Sequence, residues 1–119
     1  MSPIIIYQKP TCSTCRQVIK LVQESGHAYT AVNYYETPLS KTKLKALLKK
    51  GGLTARDVLR AKEEKYKTLG LAKTDKSEEE LIELMITYPD LLQRPLVETG
   101  QTVILARPAE TVKQLWEGS

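Results

Sequence analysis

Aromatic residues and histidine are scarce in this chain of 119 residues. Aromatic side chains make up 6% of it, phenylalanine is absent, and His27 is the single histidine. Nucleic-acid-binding domains combine stacking aromatics with clustered basic residues, whereas the Lys and Arg residues behind the net charge of +4 are spread along this sequence. The positive charge favours an anionic partner, but we do not expect a nucleic acid.

Cysteine is also rare, with Cys12 and Cys15 as the two in the chain. A zinc site would need His27 and a carboxylate, or a second chain, beside this pair, so we expect no metal site. No apolar run approaches the roughly 18 residues of a membrane helix, and the start of the chain has no basic leader. We therefore expect a cytoplasmic protein whose cysteine pair serves redox chemistry.

The first third of the sequence predicts a strand, a helix and a second strand. The run Ile4–Tyr7 is apolar and β-branched, as in a strand buried on both faces. Thr11 can cap a following helix that Gly26 ends, and Ala31–Tyr35 forms the next strand. A connection of this length makes the two strands parallel.

The remainder predicts a helical block and then a hairpin. Capping signals and apolar stripes between Ser40 and Tyr88 indicate helices inserted at about 40–88. Leu96–Glu98 and Thr102–Ala106 form an antiparallel pair, and Pro108 at a first helical position opens a last helix. We expect one domain, 1–119, of the α/β class, with a mixed four-stranded sheet in a thioredoxin-like layout.

Cys12 is the candidate nucleophile, because it falls in the first turn of the predicted helix. The unpaired N–H groups and the helix dipole stabilise a thiolate there and lower its pKa. Cys15, one turn later, is within reach to close a disulfide with Cys12. The alternatives are that Cys15 is a core residue that never oxidises and that Cys12 is a small buried residue. A cysteine phosphatase would carry Arg six positions after its nucleophile, where this chain has Val18.

Four short motifs follow one another across the chain. They are Lys9-Pro10-Thr11-Cys12-Ser13-Thr14-Cys15-Arg16, Val58-Leu59-Arg60 with Tyr66, Leu69, Gly70 and Leu71, Gln93-Arg94-Pro95-Leu96-Val97, and Ala106-Arg107-Pro108. In this order they resemble the glutaredoxin-type arsenate reductases, the ArsC family. The resemblance covers Ile4 to Trp116, nearly the whole chain.

The resemblance implies that the chain reduces arsenate to arsenite. It assigns Cys12 as the thiolate that attacks arsenic, and Arg60, Arg94 and Arg107 as the guanidiniums that hold the oxyanion. Planar donor forks suit a tetrahedral anion in both charge and geometry. An Arg-Pro pair at the start of the third thioredoxin-like strand further suggests a cis Pro95 beside the cysteine.

Gln8 and Cys15 depart from the family's usual pattern of a histidine four residues before the nucleophile and one cysteine in the loop. Because Gln8 carries no charge, the helix terminus and the arginines must lower the Cys12 pKa. We expect a monomer with no bound cofactor. The reductant is glutathione with glutaredoxin, or else Cys15 resolves the adduct and a thioredoxin or glutaredoxin reduces the Cys12–Cys15 disulfide.

Two alternatives stay open at this stage. The Spx-like regulators, close relatives that bind RNA polymerase, share the fold and carry a two-cysteine switch. They lack the arginine at the position of Arg107 and usually carry a basic tail, whereas this sequence ends at Ser119. The third possibility is an uncharacterised thiol oxidoreductase of the same family.

Overall fold

The computed structural model describes residues 3–60, 63–70 and 76–116. Its contacts divide the chain into two compact units, one formed by the chain up to Thr37 and from Arg94 onward, the other by Pro38–Gln93. The second unit contains the helices predicted for the inserted block. The single-domain organisation stays a prediction.

The first unit begins with the predicted strand and helix. Strand β1 spans Ile4–Gln8, and helix α1 spans Ser13–Ser25 and ends at Gly26, whose φ of 79° is left-handed and easily adopted by glycine. Strand β2 is Tyr29–Asn33, so the predicted range Ala31–Tyr35 was wrong by two residues at each end. Pairing with β1 decides this register, because all five residues of β2 lie beside those of β1, parallel as predicted.

The sheet is completed by two short antiparallel strands, β3 at Leu96–Glu98 and β4 at Val103–Leu105. The strand order is β2-β1-β3-β4, with β3 antiparallel to both β1 and β4. This confirms the predicted mixed four-stranded sheet. One face packs against α1 and the C-terminal helical segment through a cluster of buried residues, namely Ile4, Ile6, Val18, Val22, Val97, Ala106, Ala109 and Val112.

The C-terminal segment Ala109–Leu115 forms the predicted last helix, and it is a 3₁₀ helix. Its buried side chains, Ala109 and Val112, are three residues apart, and that spacing matches three residues per turn. Pro108 is the N-cap, with an extended backbone, so its predicted place at the first helical position was wrong.

The described residues of the second unit include helices α2 (Lys41–Gly51), α3 (Glu64–Thr68) and α4 (Glu78–Thr87), with 3₁₀ turns at Arg56–Val58 and Pro89–Leu91. Ser77 and Glu80 form a capping box at the start of α4, within the range 40–88 where capping signals predicted helices. Leucines of α2 and the apolar face of α4 are among its buried side chains. Within the described ranges, no helix is long and apolar enough to cross a membrane.

Candidate active site

Cys12, Arg94 and Arg107 meet at one edge of the sheet in the first unit. Cys12 follows β1, and Arg94 precedes β3, which is antiparallel to β1 and places Leu96 beside Tyr7. Arg107 follows β4, which is antiparallel to β3. The end of β1, the start of β3 and the end of β4 therefore lie at the same edge, and three of the predicted site residues come together there.

Cys12 is the N-cap of α1, the position that was predicted for Thr11. Its backbone is extended, with φ −81° and ψ 121°, and its Sγ accepts a hydrogen bond of 3.4 Å from the backbone N–H of Cys15. The side chain of a capping residue is the one that reaches the third helical amide. The sulfur thus lies against the unpaired N–H groups at the positive end of the helix.

The surroundings of Cys12 favour its thiolate. Burial of the sulfur raises the pKa, but hydrogen bonds from the Cys15 amide and thiol, the charge of Arg94 and a hydrogen bond from Arg107 together outweigh it. The Nη1 of Arg107 lies 4.0 Å from the Cys12 Sγ. The pKa of Cys12 is therefore below its ordinary value, as the sequence predicted, and no charged group at Gln8 is needed.

Arg94 and Arg107 are linked to each other as well as to the cysteine. The Nη1 of Arg107 donates a hydrogen bond of 2.8 Å to the backbone carbonyl of Arg94. Arg94 is buried at 6% exposure, whereas Arg107 is exposed. The Arg94–Pro95 peptide bond is cis, the isomer suggested by the sequence, and the Arg107–Pro108 bond is cis as well.

Cys15 lies one helical turn after Cys12 and is fully buried. Burial is the largest influence on this thiol, and together with a hydrogen bond to Cys12 and the charge of that residue it raises the pKa of Cys15 to about 12. Both cysteines are free thiols. The pair thus combines an activated, partly accessible sulfur with a protonated, buried one.

Arg60, the third predicted arginine, belongs to the second unit. Its Nε lies 3.2 Å from a carboxylate oxygen of Glu63, and its backbone N–H donates a 2.7 Å hydrogen bond to the carbonyl of Leu91. Its Nη1 is buried and has no hydrogen-bond partner among the described residues. Such an atom retains donor capacity for an anion.

Two tyrosines at this edge were missed by sequence reasoning. Burial lowers the pKa of Arg94, but the electrostatic influence of Tyr34 and Tyr35 and a hydrogen bond with Tyr34 outweigh it, so the pKa is raised. Both tyrosines fell inside the predicted second strand, and no pattern of nearby residues indicated that they lie close to Arg94. Their place becomes apparent once β2 is known to end at Asn33, directly before Tyr34.

The single histidine lies away from this chemistry. His27 is half-buried and stacks on Trp116 with ring centroids 5.3 Å apart, and its Nδ1 is 2.8 Å from the Ser25 hydroxyl. In the part of the chain that the structure describes, no group of three or more His, Cys, Asp or Glu side chains could hold a metal ion.

The fold and this edge define the class of protein: a thioredoxin-like domain with a cysteine thiolate at a helix N-terminus and arginines beside it. Comparison with known proteins makes this specific, because the sequence model of the ArsC family matches residues 7–115. The chain belongs to the ArsC family. The resemblance inferred from the four motifs is confirmed.

Relatives and solved structures agree with this assignment. An arsenate reductase from Yersinia enterocolitica is 41% identical over 112 residues, covering 94% of this chain and 79% of the relative. The structure of an arsenate reductase from Vibrio cholerae is 34% identical with a TM-score of 0.89 over 95% of this chain and 97% of its own. An uncharacterized protein from Escherichia coli K12 is 40% identical over 92% of this chain and 93% of the relative.

Proposed function

We propose that this protein reduces arsenate to arsenite with Cys12 as nucleophile. The observation that carries the proposal is the juxtaposition of Cys12 with Arg94 and Arg107, whose Nη1 is 4.0 Å from the Cys12 sulfur. The arsenate reductases similar to this chain support the choice of substrate. They also favour an oxidoreductase over a Spx-like regulator.

Arg94, Arg107 and Arg60 are the groups we assign to the oxyanion. Arg107 is exposed and directs a guanidinium nitrogen toward the thiolate, so an anion beside Cys12 would meet its remaining donors. Arg94 contributes a buried charge of low conformational freedom. The buried Nη1 of Arg60 is an available donor, which fits the role that the family resemblance gives it.

In the first chemical step the Cys12 thiolate bonds to arsenic. One arsenate oxygen leaves as water, with protons taken from the arsenate and from solvent, and arsenic stays in its +5 state as a thiol adduct. The arginines lower the barrier because they offset the repulsion between the anionic nucleophile and the anionic substrate. The lowered pKa of Cys12 supplies the thiolate.

In the second step we assign the attack on the Cys12 sulfur of this adduct to Cys15. A disulfide forms between the cysteines, and the electron pair of the sulfur–arsenic bond stays with arsenic, which becomes arsenite. The pKa of Cys15 is raised to about 12, so it carries its proton near neutral pH. Because the thiolate is the attacking species, this proton must leave as the sulfur attacks, and an arsenite oxygen accepts it. An internal thiol has a high effective concentration, so it should compete well with glutathione.

A dithiol reductant must then restore the two thiols. We propose a thioredoxin, with glutaredoxin and glutathione as the alternative that applies if Cys15 does not attack. A cysteine pair that must return to its thiol form needs a reducing compartment, and we place the protein in the cytoplasm. A thiol oxidoreductase that acts on a substrate other than arsenate remains the second candidate, since an uncharacterized relative is 40% identical.

The test follows arsenate-dependent oxidation of NADPH with either thioredoxin and its reductase, or glutathione, glutaredoxin and glutathione reductase. Wild-type protein should turn over with thioredoxin, and Cys12→Ser should be inactive with both systems. Cys15→Ser should lose the thioredoxin-supported activity while retaining Cys12. The internal disulfide would be contradicted if wild-type protein turned over only with the glutathione and glutaredoxin system, and at the same rate as Cys15→Ser.

A further inference from the structure

Tyr34 lies at the same edge of the sheet as Cys12. The parallel strands β1 and β2 end level with each other, because Gln8 is paired with Asn33, so the residues that follow them leave the sheet at one edge. Arg94 reaches this edge from the other neighbour of β1, the strand β3. The topology therefore places Tyr34 and Arg94 on either side of the loop that carries Cys12.

Burial increases the energetic value of each hydrogen bond that the Arg94 guanidinium makes. Arg94 is 6% exposed and Tyr34 is 3% exposed. A guanidinium has five N–H donors and no acceptor, and donors away from water are costly unless they are bonded. Arg94 donates a hydrogen bond to the Tyr34 side chain.

Packing holds Tyr34 in place. Its ring lies against that of Tyr35, with centroids 5.0 Å apart, and the ammonium group of Lys9 is 4.7 Å from the Tyr35 ring centroid. The tyrosine hydroxyl therefore has little freedom. A phenol also differs from a carboxylate partner, because it accepts the hydrogen bond without neutralising the guanidinium charge.

We propose that Tyr34 is a positioning residue, whose hydroxyl orients the Arg94 guanidinium toward the Cys12 thiolate and toward the bound oxyanion. The part that concerns the oxyanion rests on the proposed function. The part that concerns the thiolate does not, because it involves residues of the first unit alone. Arg60 offers a contrast, since its Nε is paired with the carboxylate of Glu63, which competes with an anion.

The experiment compares Tyr34→Phe with Tyr29→Phe. Tyr29 is in β2 itself, and its hydroxyl accepts a 2.7 Å hydrogen bond from Gln23 at an exposed site, so it is a matched control. The rate of Cys12 alkylation by iodoacetamide is measured against pH without arsenate, with peptide mapping to identify the modified cysteine. Tyr34→Phe should raise the Cys12 pKa by about half a unit or more, and Tyr29→Phe should leave it unchanged.

A double-mutant cycle separates positioning from general damage. In an Arg94→Lys background, Tyr34→Phe should no longer shift the Cys12 pKa, because the group it orients is gone. A shift of equal size in that background, or no shift in the wild-type background, would overturn the proposal. With arsenate, kcat/KM should also fall about tenfold for Tyr34→Phe.

Wild-type protein gives a second measurement if Tyr34→Phe does not fold. With ¹⁵N-labelled arginine, the Arg94 side chain should give separate, slowly exchanging Nη–H signals that disappear in Arg94→Lys, as expected for a held guanidinium. A single averaged signal would contradict the proposal. Because neither this spectrum nor the alkylation profile uses arsenate, failure of the proposed function and failure of the Tyr34 assignment are distinguishable.

Discussion

Removing the Arg107 charge should raise the pKa of Cys12. The guanidinium Nη1 is 4.0 Å from the sulfur. Two unit charges at that separation interact by about 4 kcal/mol at an effective dielectric constant of about 20, and by about 1 kcal/mol in water. Arg107 is exposed, so the lower figure is the appropriate one, and it corresponds to roughly 0.7 pKa units. The substitution Arg107→Gln should therefore shift the Cys12 pKa upward by about that amount.

The assay is again the pH dependence of alkylation, because only the thiolate reacts at an appreciable rate. At any pH below the wild-type Cys12 pKa, Arg107→Gln should have a smaller thiolate fraction and a slower reaction, and the difference should vanish well above both pKa values. Arg16→Gln is the matched control. Arg16 is exposed on α1, and the influences that lower the Cys12 pKa come from Cys15, Arg94 and Arg107.

Equal pKa values in Arg107→Gln and wild type would refute this reasoning. An equal shift of the Cys12 pKa in Arg16→Gln would also refute it, because the effect would then not depend on the position of Arg107. The pH dependence of turnover should shift in the same direction. Because the active form is the thiolate, activity should decrease as pH falls through the Cys12 pKa. This decrease should occur at higher pH in Arg107→Gln than in wild type.

Three further results are expected. Cys12→Ser should lose arsenate turnover but keep the wild-type circular dichroism spectrum and urea midpoint, and substantial residual activity would remove Cys12 as nucleophile. Arg94→Lys keeps the charge but loses the fork, so kcat/KM for arsenate should fall by about one to two decades, whereas unchanged kinetics would make Arg94 a structural residue. Ser77→Ala breaks the capping box of α4 and should cost about 1 kcal/mol in urea unfolding with unchanged turnover per folded molecule, and an unaltered midpoint would contradict that role.

Local signals in the sequence predicted the parts of the fold that depend on neighbours along the chain. Gly26 ends α1 because it adopts a left-handed φ, and Ser77 caps α4 through Glu80 three residues later. Both interactions close within one helical turn. A pattern of residue types over a few positions is sufficient to predict them.

The parts that failed depend on pairing across the chain. The bounds of β2 are set by its register with β1, in which Tyr29 lies beside Ile4, and the sequence of β2 alone does not contain that information. The same shift takes Tyr34 out of the strand and leaves it beside Arg94. The apolar residues after Pro108 predicted a last helix, but their spacing did not distinguish an α-helix from the 3₁₀ helix that forms there.

The candidate site was predicted mainly through the resemblance to the ArsC family. Position after a strand and at a helix N-terminus was enough to select Cys12 as a reactive thiol. The Arg-Pro pair was a local hint for Arg94, but no local pattern distinguished Arg107 from a surface arginine. Strand order brings both arginines to the cysteine. The role of Arg60 stays a prediction.

A single-turnover reaction tests the central claim most directly. Fully reduced protein is mixed with arsenate and no external thiol, arsenite is quantified, and the protein is analysed by intact mass and peptide mapping. We predict arsenite in an amount equal to the protein, a mass lower by about two hydrogens, and a peptide pair joined through Cys12 and Cys15. Reduced protein that yields neither arsenite nor a change in mass, under conditions where Cys12 is readily alkylated, would contradict the account.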